Sequence, residues 1–350
     1  MEGPSTMRAA LLVEQKKPLV IDDVALPSEL GVGQVLVKIH YSGICGSQIG
    51  EIDGVKGPDR FLPHLLGHEG SGTVVAVGPG VRRMRAGDRV VLHWRKAPGI
   101  ESAPPMYDWR GRTVNAGWIT TFNEFAVVSE NRATPIEADL DLRVAALFGC
   151  AVTTGFGVVV NNARLTIGES VVVFGAGGVG LNIVQAASLV SAYPIIAVDV
   201  HDSRLEVARQ MGATHLINAQ RQDVASRFRE IMAGTNLEVF IDNTGNPDVI
   251  GLGYRSVGPR GRVILVGVPK AGSDVTLHSL PLHFGKVLTG SHGGESQPDV
   301  DIPRYSRMFK LGRLKLEELI HRIYPLSEIN QAIEDMRNGR LAGRCLIEFP

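Results

Sequence analysis

The pattern of hydrophobic and polar residues changes character near residue 151. Before that point, short apolar runs bounded by Gly, Pro or Asp recur at residues 35–40, 72–78, 88–92 and 125–128. Short strands separated by frequent turn signals are typical of a compact β barrel or sandwich. After that point, apolar runs alternate with helical patterns, which predicts a doubly wound parallel sheet. The expected fold class is therefore α/β, with a second, mainly β domain.

In the second part of the chain, helices are predicted at residues 204–209, 224–232 and 249–257. Strands are predicted at residues 215–217, 237–242 and 263–267. The last stretch is predicted to be helical and to end in a strand at residues 345–349, which would return to the first domain.

Three segments are expected from these changes of pattern. They are a mainly β domain over residues 1–151, an α/β domain over 152–294 and a return segment to the first domain over 295–350. Residues 94–117 show little periodicity and predict a long loop. Such a loop in a compact domain is usually functional or the remnant of a feature that has been lost. Residues 1–6 are expected to be a disordered extension before the patterned sequence.

The strongest local pattern is a strand, a glycine-rich turn and a helix that begin at residue 171. Four apolar residues lead into a G-x-G-x-x-G match, whose members are Gly175, Gly177 and Gly180, with Gly178 and Val179 between the last two. Such a turn brings backbone close to a pyrophosphate, and the helix N-terminus offers it unpaired N–H groups. Asp199 ends the next apolar run about 20 residues later, where an acid accepts from the ribose of NAD. The alternative is a plain βαβ unit in which Asp199 caps the next helix.

Composition gives no support to several classes of partner. The 36 basic and 36 acidic residues give a formal net charge of zero, which does not favour nucleic acid or an anionic membrane. No apolar run reaches the roughly 18 residues of a membrane span, and the N-terminus has no apolar signal core. Three cysteines in a chain of 350 residues argue against a disulfide framework and indicate a reducing, cytoplasmic setting.

Three potential metal ligands lie in separate segments, at Cys45, His68 and Cys150. Two thiolates and an imidazole suit Zn²⁺, and three protein ligands leave a fourth position open, as in catalytic sites. Their scattered spacing does not establish a site. Taken singly, each cysteine is more often a small buried hydrophobe, and His68 is equally a hydrogen-bonded loop residue. Cys345, on an apolar strand, is interpreted as a core residue.

Together these segments resemble the zinc-dependent alcohol dehydrogenases of the medium-chain dehydrogenase/reductase family. The resemblance covers nearly the whole chain and rests on the glycine motif with Asp199 and on residues 43–47, 67–70, 86–90, 149–155 and 266–269. It implies a GroES-like catalytic domain and a Rossmann coenzyme domain. It also implies one catalytic zinc held by Cys45, His68 and Cys150, with Glu69 beside the metal.

The resemblance further implies roles around the metal and the coenzyme. Ser47 corresponds to a residue that relays the alcohol proton, although it is otherwise an ordinary turn serine. Thr154 corresponds to a residue that packs on the nicotinamide, and Arg344 to one that reaches the pyrophosphate; either could be merely structural. Coenzyme contacts are also expected from Arg204, close to Asp199 in the sequence, and from Val268.

The sequence departs from the family pattern in the metal domain. The family's structural zinc needs four closely spaced cysteines in the lobe that corresponds to residues 93–117, and this sequence has none there. Gln48 replaces an aspartate that supports the zinc histidine; its carbonyl could still accept from the ring of His68 but would raise the basicity of that ligand less than a carboxylate. Gly50 replaces a relay histidine of some relatives, so the proton is expected to pass from the coenzyme ribose to water.

The expected activity is hydride transfer between NAD and a secondary alcohol, polyol or sugar-like alcohol, with zinc as Lewis acid. The segment 45–47 resembles the polyol dehydrogenase branch. A polar substrate is also favoured by charged and polar residues of the 94–117 segment, namely Arg95, Lys96, Asp108, Arg110, Arg112 and Asn115. The alternatives are a zinc-free reductase of the same fold and a protein that binds NAD without catalysis. We expect a small-molecule substrate, no nucleic-acid or membrane partner, and a homodimer or homotetramer.

Overall fold

Residues 4–350 are described by the structure, a computed structural model, and they divide into two units. The first unit comprises the chain up to Ala151 together with Gln297–Pro350, and the second comprises Val152–Ser296. The chain therefore leaves the first unit once and returns to it. Of the predicted N-terminal extension, residues 1–3 lie outside the described residues, whereas Thr6 already belongs to the first strand.

The regular elements are numbered in chain order. The strands are β1 (Thr6–Leu12), β2 (Val20–Ala25), β3 (Gln34–Gly43), β4 (His64–Leu65), β5 (Glu69–Val77), β6 (Arg89–His93), β7 (Met106–Trp109), β8 (Arg112–Asn115), β9 (Phe125–Ser129), β10 (Ala133–Pro135), β11 (Val171–Phe174), β12 (Ile195–Asp199), β13 (His215–Asn218), β14 (Leu237–Asp242), β15 (Val257–Leu265), β16 (Val287–Gly290), β17 (Ile320–Pro325) and β18 (Arg344–Glu348). The α-helices are α1 (Gly46–Ile52), α2 (Leu142–Leu147), α3 (Ala151–Gly157), α4 (Gly178–Leu189), α5 (Asp202–Gln210), α6 (Val224–Met232), α7 (Pro247–Ser256), α8 (Pro298–Lys310) and α9 (Ile329–Arg337).

The first unit is mainly β, as predicted. Strands β1-β2-β7-β8-β4 close a small barrel, and β10-β6-β5-β3-β18-β17 form a second sheet in which β9 also pairs with β3. Successive side chains of a strand point to opposite faces, so one strand can serve two cores. In β3, Val35, Val37 and Ile39 pack into one hydrophobic core, while Leu36 packs into the other. This strand therefore joins the two sheets of the unit.

The prediction of a loop over residues 94–117 is wrong for its second half, where β7 and β8 form a hairpin. Its two turn residues, Arg110 and Gly111, have φ angles of 55° and 80°. Positive φ at both positions is what a two-residue hairpin turn requires. The Nε1 of Trp109 donates to Asp22 Oδ2 at 2.8 Å, which ties the hairpin to β2. The strands are too short for their alternation to stand out from a loop.

The second unit contains a six-stranded parallel sheet with the order β13-β12-β11-β14-β15-β16. The strand order reverses at β11, and right-handed crossovers then put helices on both faces. This confirms the predicted doubly wound parallel sheet. The carboxyl ends of β11 and β14 are neighbours at the point of reversal, which is where such sheets bind ligands.

The C-terminal strand returns to the first unit, as predicted. β18 pairs antiparallel with β3, with Leu346 opposite Gly43. Cys345 is buried, and burial raises the pKa of its thiol to about 12, so it is a neutral core side chain. Within the described chain, no helix has both the length and the apolar character needed to cross a bilayer.

Packing of α7 on the central sheet gives a stability prediction. A Cβ added to Gly253 would lie 2.4 Å from Cδ1 of Phe240, which is fully buried on β14. We expect Gly253→Ala to lower the free energy of unfolding of the second unit by about 1–3 kcal/mol through overpacking. Urea unfolding, followed by far-UV circular dichroism, measures this change.

Gly251→Ala, on the same helix, is the matched control. There the added Cβ meets only the end of the Arg255 side chain, at 3.1 Å, and that side chain can move. Because alanine favours helix over glycine by up to about 1 kcal/mol, this variant should be neutral or slightly stabilised. Equal unfolding midpoints for the two variants would contradict the packing seen at Gly253.

Candidate metal and coenzyme sites

The first unit brings together the three predicted metal ligands. Cys45 immediately precedes α1, His68 immediately precedes β5, and Cys150 lies between α2 and α3. Their ligand atoms all lie within 4.8 Å of one another. Zinc bonds of about 2.0–2.3 Å put tetrahedral ligand atoms roughly 3.4–3.8 Å apart. Small side-chain movements would therefore let all three reach one ion.

The chemistry of this cluster also fits a zinc ion. A hydrogen bond from Cys150 holds the pKa of the Cys45 thiol well below its ordinary value. A hydrogen bond and the charge of His68 act in the same direction, and so does the charge of Arg344, whereas burial opposes them. The thiolate is the form of cysteine that binds metals. The cluster thus combines soft donors with a lowered thiol pKa at Cys45, which favours the thiolate that a metal binds.

Glu69 lies next to His68 in the sequence, and its carboxylate is fully buried. One carboxylate oxygen accepts from the backbone N–H of Ala151 at 3.1 Å. The other pairs with the guanidinium of Arg344, which is itself 3% exposed. A buried charge is tolerated only when it is paired and hydrogen-bonded, and Glu69 has both kinds of partner.

Two glycines make room for Glu69. A Cβ at Gly43 would lie 1.9 Å from Glu69 Oε1, and a Cβ at Gly149 would lie 2.8 Å from Glu69 Cα. These glycines stand two residues before Cys45 and one residue before Cys150. The segments that carry the two cysteines therefore approach Glu69 more closely than any other residue type would allow.

The partnership of Arg344 with Glu69 was missed by the sequence analysis. Arg344 was expected at the coenzyme pyrophosphate, whereas the structure places its side chain against Glu69 within the first unit. The two residues are 275 positions apart, and they meet because β18 pairs with β3. The sequence carries no local signal for such a pair.

The structure gives Gln48 a backbone partner in the turn before His68. Its carbonyl oxygen accepts from the backbone N–H of Gly67, rather than from the ring of His68. Its amide group donates to Glu51 at 3.3 Å. Gly67 has a φ of 93°, and a Cβ there would lie 2.3 Å from Thr121 Oγ1. Gln48 therefore holds the turn that precedes His68, and it acts through the backbone.

Ser47 is the second residue of α1 and is partly buried. No side chain or backbone group among residues 4–350 forms a hydrogen bond with its hydroxyl. The hydroxyl is thus available to a bound molecule.

In the second unit, the glycine turn has the geometry that a dinucleotide needs. Gly175 has a φ of 96°, and a Cβ at Gly180 would lie 1.9 Å from Gly175 O. Gly177 is the N-cap residue of α4, where no side chain caps the helix, and a Cβ there would meet no atom within 4 Å. Gly178 and Val179, the first residues of this 12-residue helix, are partly exposed, and N–H groups at such a helix N-terminus can bind an anion.

Asp199 lies at the carboxyl end of β12 and is 5% exposed. Its Oδ2 accepts from Ala176 N at 2.8 Å, and its Oδ1 accepts from Val200 N and His201 N at 2.8 and 3.0 Å. Arg204 lies 3.8 Å from Oδ1. The helix-capping alternative does not hold, because His201 is the N-cap residue of α5. The carboxylate is instead fixed beside the glycine turn.

Two further predicted coenzyme residues lie in the same unit. Thr154 is 6% exposed, and its hydroxyl has no hydrogen-bond partner in the described chain. A buried hydroxyl without a partner fits a site that is completed by a bound molecule. Val268 follows β15 and contacts the turn at Gly245, where an added Cβ would lie 2.6 Å from the Val268 carbonyl carbon. The hydroxyl of Thr154 leaves a polar atom for a bound molecule, and contacts of Thr154 and Val268 with the coenzyme stay predictions.

The turn that follows β14 was missed as part of this site. Asn243 donates from its backbone to Phe174 O at 2.9 Å and from its side chain to Gly175 O at 3.4 Å. Asp242 is fully buried and accepts from the backbone N–H groups of Thr244 and Gly245, both at 2.9 Å. Burial raises the pKa of Asp242. The sequence signal that could have indicated this turn is the polar run Asp-Asn-Thr-Gly, which ends the strand beside β11.

Known protein families match both units. Residues 31–138 match the family described as the alcohol dehydrogenase GroES-like domain, and residues 178–310 match the zinc-binding dehydrogenase family. The chain is 30% identical to S-(hydroxymethyl)glutathione dehydrogenase of Saccharomyces cerevisiae, over 95% of this chain and 93% of the relative. It is 31% identical to a putative alcohol dehydrogenase D of Mycobacterium tuberculosis, over 95% of this chain and 97% of the relative.

Solved structures agree with these matches. Benzyl alcohol dehydrogenase of Acinetobacter calcoaceticus superposes with a TM-score of 0.89 at 30% identity and covers 99% of this chain and 100% of its own. An alcohol dehydrogenase zinc-binding domain protein of Burkholderia ambifaria gives 0.88 at 30% identity, with 99% of both chains covered. The predicted GroES-like and Rossmann-type domains are thereby confirmed. This chain, an oxidoreductase, belongs to the zinc-dependent alcohol dehydrogenases of the medium-chain dehydrogenase/reductase family.

Proposed function

We propose that the protein is a zinc- and NAD-dependent dehydrogenase that transfers a hydride between NAD and an alcohol. The observation that carries this proposal is the convergence of Cys45, His68 and Cys150 within 4.8 Å, in a chain of this family. The names of the relatives, S-(hydroxymethyl)glutathione dehydrogenase and benzyl alcohol dehydrogenase, support an alcohol as the substrate class. The free cysteines support the expected cytoplasmic location.

The metal, the coenzyme and the residues of the site would each have a separate role in the reaction. Zinc supplies a Lewis acid and NAD supplies the hydride acceptor. Cys45, His68 and Cys150 would hold the metal and leave one position free for the substrate. The hydroxyl of Ser47, two residues from Cys45 and without a described partner, would accept the alcohol proton while passing its own proton to the coenzyme ribose. Gly50 offers no imidazole on the same helix, so the proton would leave to water.

Metal content tests the ligand assignment. Protein purified without chelator and dialysed against metal-free buffer should retain about one zinc per chain, because two thiolates and an imidazole form a tight site. Cys150→Ala should lose this zinc, whereas Cys345→Ala should keep it. Elemental analysis of the three proteins measures both outcomes. Equal zinc in Cys150→Ala and the wild type would contradict the assignment, and an active, metal-free wild type would favour the zinc-free reductase.

Coenzyme choice is predicted from Asp199. Its buried carboxylate would lie close to the extra phosphate of NADP, and like charges in contact cost several kcal/mol. We therefore expect NAD⁺ to be preferred by a wide margin in kcat/KM, and Asp199→Gly to narrow that margin. Asp202→Asn is the matched control, since its carboxylate pairs with Arg221 at 2.8 Å. Equal efficiency of the wild-type enzyme with NADP⁺ would refute the assignment of Asp199.

The proposed proton transfer is tested at Ser47. General acid–base groups contribute about 10²–10⁴-fold, so Ser47→Ala should lower kcat by about that factor while zinc content and NAD affinity stay nearly unchanged. Ser47→Thr keeps the hydroxyl and should retain most of the activity. With a deuterated substrate establishing that hydride transfer limits the rate, a loss of less than about threefold in Ser47→Ala would exclude a relay role.

The substrate is proposed to be hydrophilic, a polyol or sugar-like alcohol. Two of the polar side chains that favoured a hydrophilic substrate already bond to other residues of the protein. Arg110 pairs with Asp22 at 2.6 Å, and Asn115 donates to Phe61 O at 2.7 Å. Support therefore comes mainly from the polyol-like segment 45–47. A site that hydrogen-bonds hydroxyl groups rejects analogues that lack them, because its polar groups are then left unpaired.

A substrate panel tests both the activity and its class. NADH formation should be detected with NAD⁺ and at least one polyol or sugar, with kcat/KM above that for hexanol or benzyl alcohol. Turnover of hexanol or benzyl alcohol alone would contradict the polar substrate but keep the dehydrogenase. If the protein retains zinc and binds NAD but forms no NADH with any alcohol tested, the result would favour a protein that binds NAD without catalysis.

Self-association is proposed as a homodimer or homotetramer. β16 forms one edge of the six-stranded sheet and pairs only with β15 in the described chain. Next to it, Leu280, Leu282 and Phe284 are 54%, 41% and 70% exposed. Open strand edges flanked by apolar side chains favour pairing with another chain.

A further inference from the structure

A second group of metal-ligating side chains lies in the first unit, apart from the cysteine ligands. Glu51 is near the C-terminal end of α1, Asp59 lies in the segment that follows, and His64 begins β4. One ligand atom from each of the three lies within 4.8 Å of the other two. The side chains of His64 and Asp59 are 8% and 10% exposed, whereas that of Glu51 is 41% exposed. The group thus has a buried base and one side open to solvent.

The ring of His64 is oriented as in metal-binding histidines. Its Nδ1 lies 2.9 Å from the carbonyl oxygen of Leu65, and a carbonyl oxygen can only accept, so Nδ1 carries the hydrogen. In the neutral ring, Nε2 then presents its lone pair to Asp59 Oδ2 at 2.8 Å and Glu51 Oε1 at 3.9 Å. A histidine ligand usually donates its other N–H to a carbonyl or carboxylate, which fixes the ring. Two carboxylates facing a lone pair require a positive charge between them, either a proton or a metal ion.

The charge balance of the group favours a divalent ion. In the described part of the chain, no Lys or Arg side chain pairs with Glu51 or Asp59, and His64 is the only basic partner of either. With a proton on His64 the group keeps a net charge of −1. With a neutral His64 and a divalent cation, the charges of the two carboxylates cancel.

Both carboxylates are also held in place by groups that carry no charge. Asp59 Oδ1 accepts from Phe61 N at 2.8 Å, and the backbone N–H of Asp59 donates to Gln15 Oε1 at 3.1 Å. Glu51 Oε2 accepts from Gln48 Nε2 at 3.3 Å. These contacts leave Asp59 Oδ2 and Glu51 Oε1 directed toward Nε2. Carboxylates that bind metal ions are ordinarily held in place by hydrogen bonds of this kind.

We propose that Glu51, Asp59 and His64 form a second metal site, which binds a divalent transition ion such as Zn²⁺, Co²⁺ or Mn²⁺. One imidazole nitrogen and two carboxylate oxygens suit these ions better than softer or harder ones. Bonds of about 2.0–2.2 Å put ligand atoms roughly 3–3.5 Å apart, so Asp59 and His64 separate by a few tenths of an ångström when the ion enters. The site lacks thiolates and binds its ion more weakly than the cysteine cluster.

The ion would cross-link three consecutive parts of the first unit: α1, the segment around Asp59 and β4. The same network reaches the cysteine cluster, because Gln48 contacts both Glu51 and the backbone of Gly67, next to His68. A ligand that binds only the folded state raises its stability. Occupation of the second site therefore stabilises the segment that carries His68.

Cobalt titration of the metal-free protein distinguishes the two sites. Thiolate ligands give an intense sulfur-to-cobalt charge-transfer absorption, which oxygen and nitrogen ligands do not. We expect wild-type protein to bind two equivalents of Co²⁺ by equilibrium dialysis, with the charge-transfer absorption complete after the first. Cys150→Ala should lose that absorption and still bind at the second site. Metal binding by this variant tests the second site independently of the proposed dehydrogenase function.

Substitutions in the second site complete the test. Glu51→Gln/Asp59→Asn should bind one equivalent with unchanged charge-transfer absorption, and Asp53→Asn, in the same region, should bind two. If the double variant does not fold, Glu51→Gln alone, at a partly exposed position, should weaken the second equivalent at least about tenfold. Saturation of the wild type at one equivalent would overturn the proposal and leave a protonated His64 paired with Asp59. Undiminished binding of the second equivalent by Glu51→Gln/Asp59→Asn, or by Glu51→Gln if it alone folds, would also overturn it.

Discussion

The buried ion pair of Glu69 and Arg344 is the interaction on which the first unit depends. Removing one member of a buried ion pair typically costs about 3–5 kcal/mol, because the other charge is left uncompensated. Glu69 therefore needs β18, which carries Arg344, and the C-terminal segment must return after the second unit. It also needs a glycine at positions 43 and 149, since any side chain there would occupy the space of the carboxylate or its backbone. Packing against Glu69 thus explains why glycines precede Cys45 and Cys150. The same packing brings the two cysteines close to His68.

The candidate metal and coenzyme sites are built by different means. The metal cluster comes from the ends of elements that meet through antiparallel pairing, and its ligands are far apart in sequence. The coenzyme site comes from one strand, turn and helix, and is completed by Asp199 and by the turn after β14 at the reversal of strand order. Loss of Gln48 would disturb the first site only, through the backbone of Gly67. The two sites can therefore be altered separately.

The features that were predicted correctly are those that depend on a short stretch of sequence. The helix over 224–232, the glycine turn and the acid at Asp199 follow from periodicity and from the conformations that only glycine adopts. The hairpin at 106–115 was missed because each strand has only four residues. The Arg344–Glu69 pair, the contact of Gln48 with Gly67 and the approach of Glu51 to His64 were missed for another reason. Such contacts depend on how distant segments pack, and a single sequence contains no record of that packing.

The coordination shell of the bound metal tests the central claim most directly. X-ray absorption at the zinc edge, on protein carrying one equivalent of zinc, reports the number and type of ligand atoms. Ligation by Cys45, His68 and Cys150 predicts two sulfur atoms at about 2.3 Å, one imidazole nitrogen at about 2.0–2.1 Å and one further light atom. Cys345→Ala, loaded with zinc in the same way, should keep both sulfur atoms, because Cys345 is not a ligand. A shell of nitrogen and oxygen alone, or a shell with four sulfurs, would contradict the assignment.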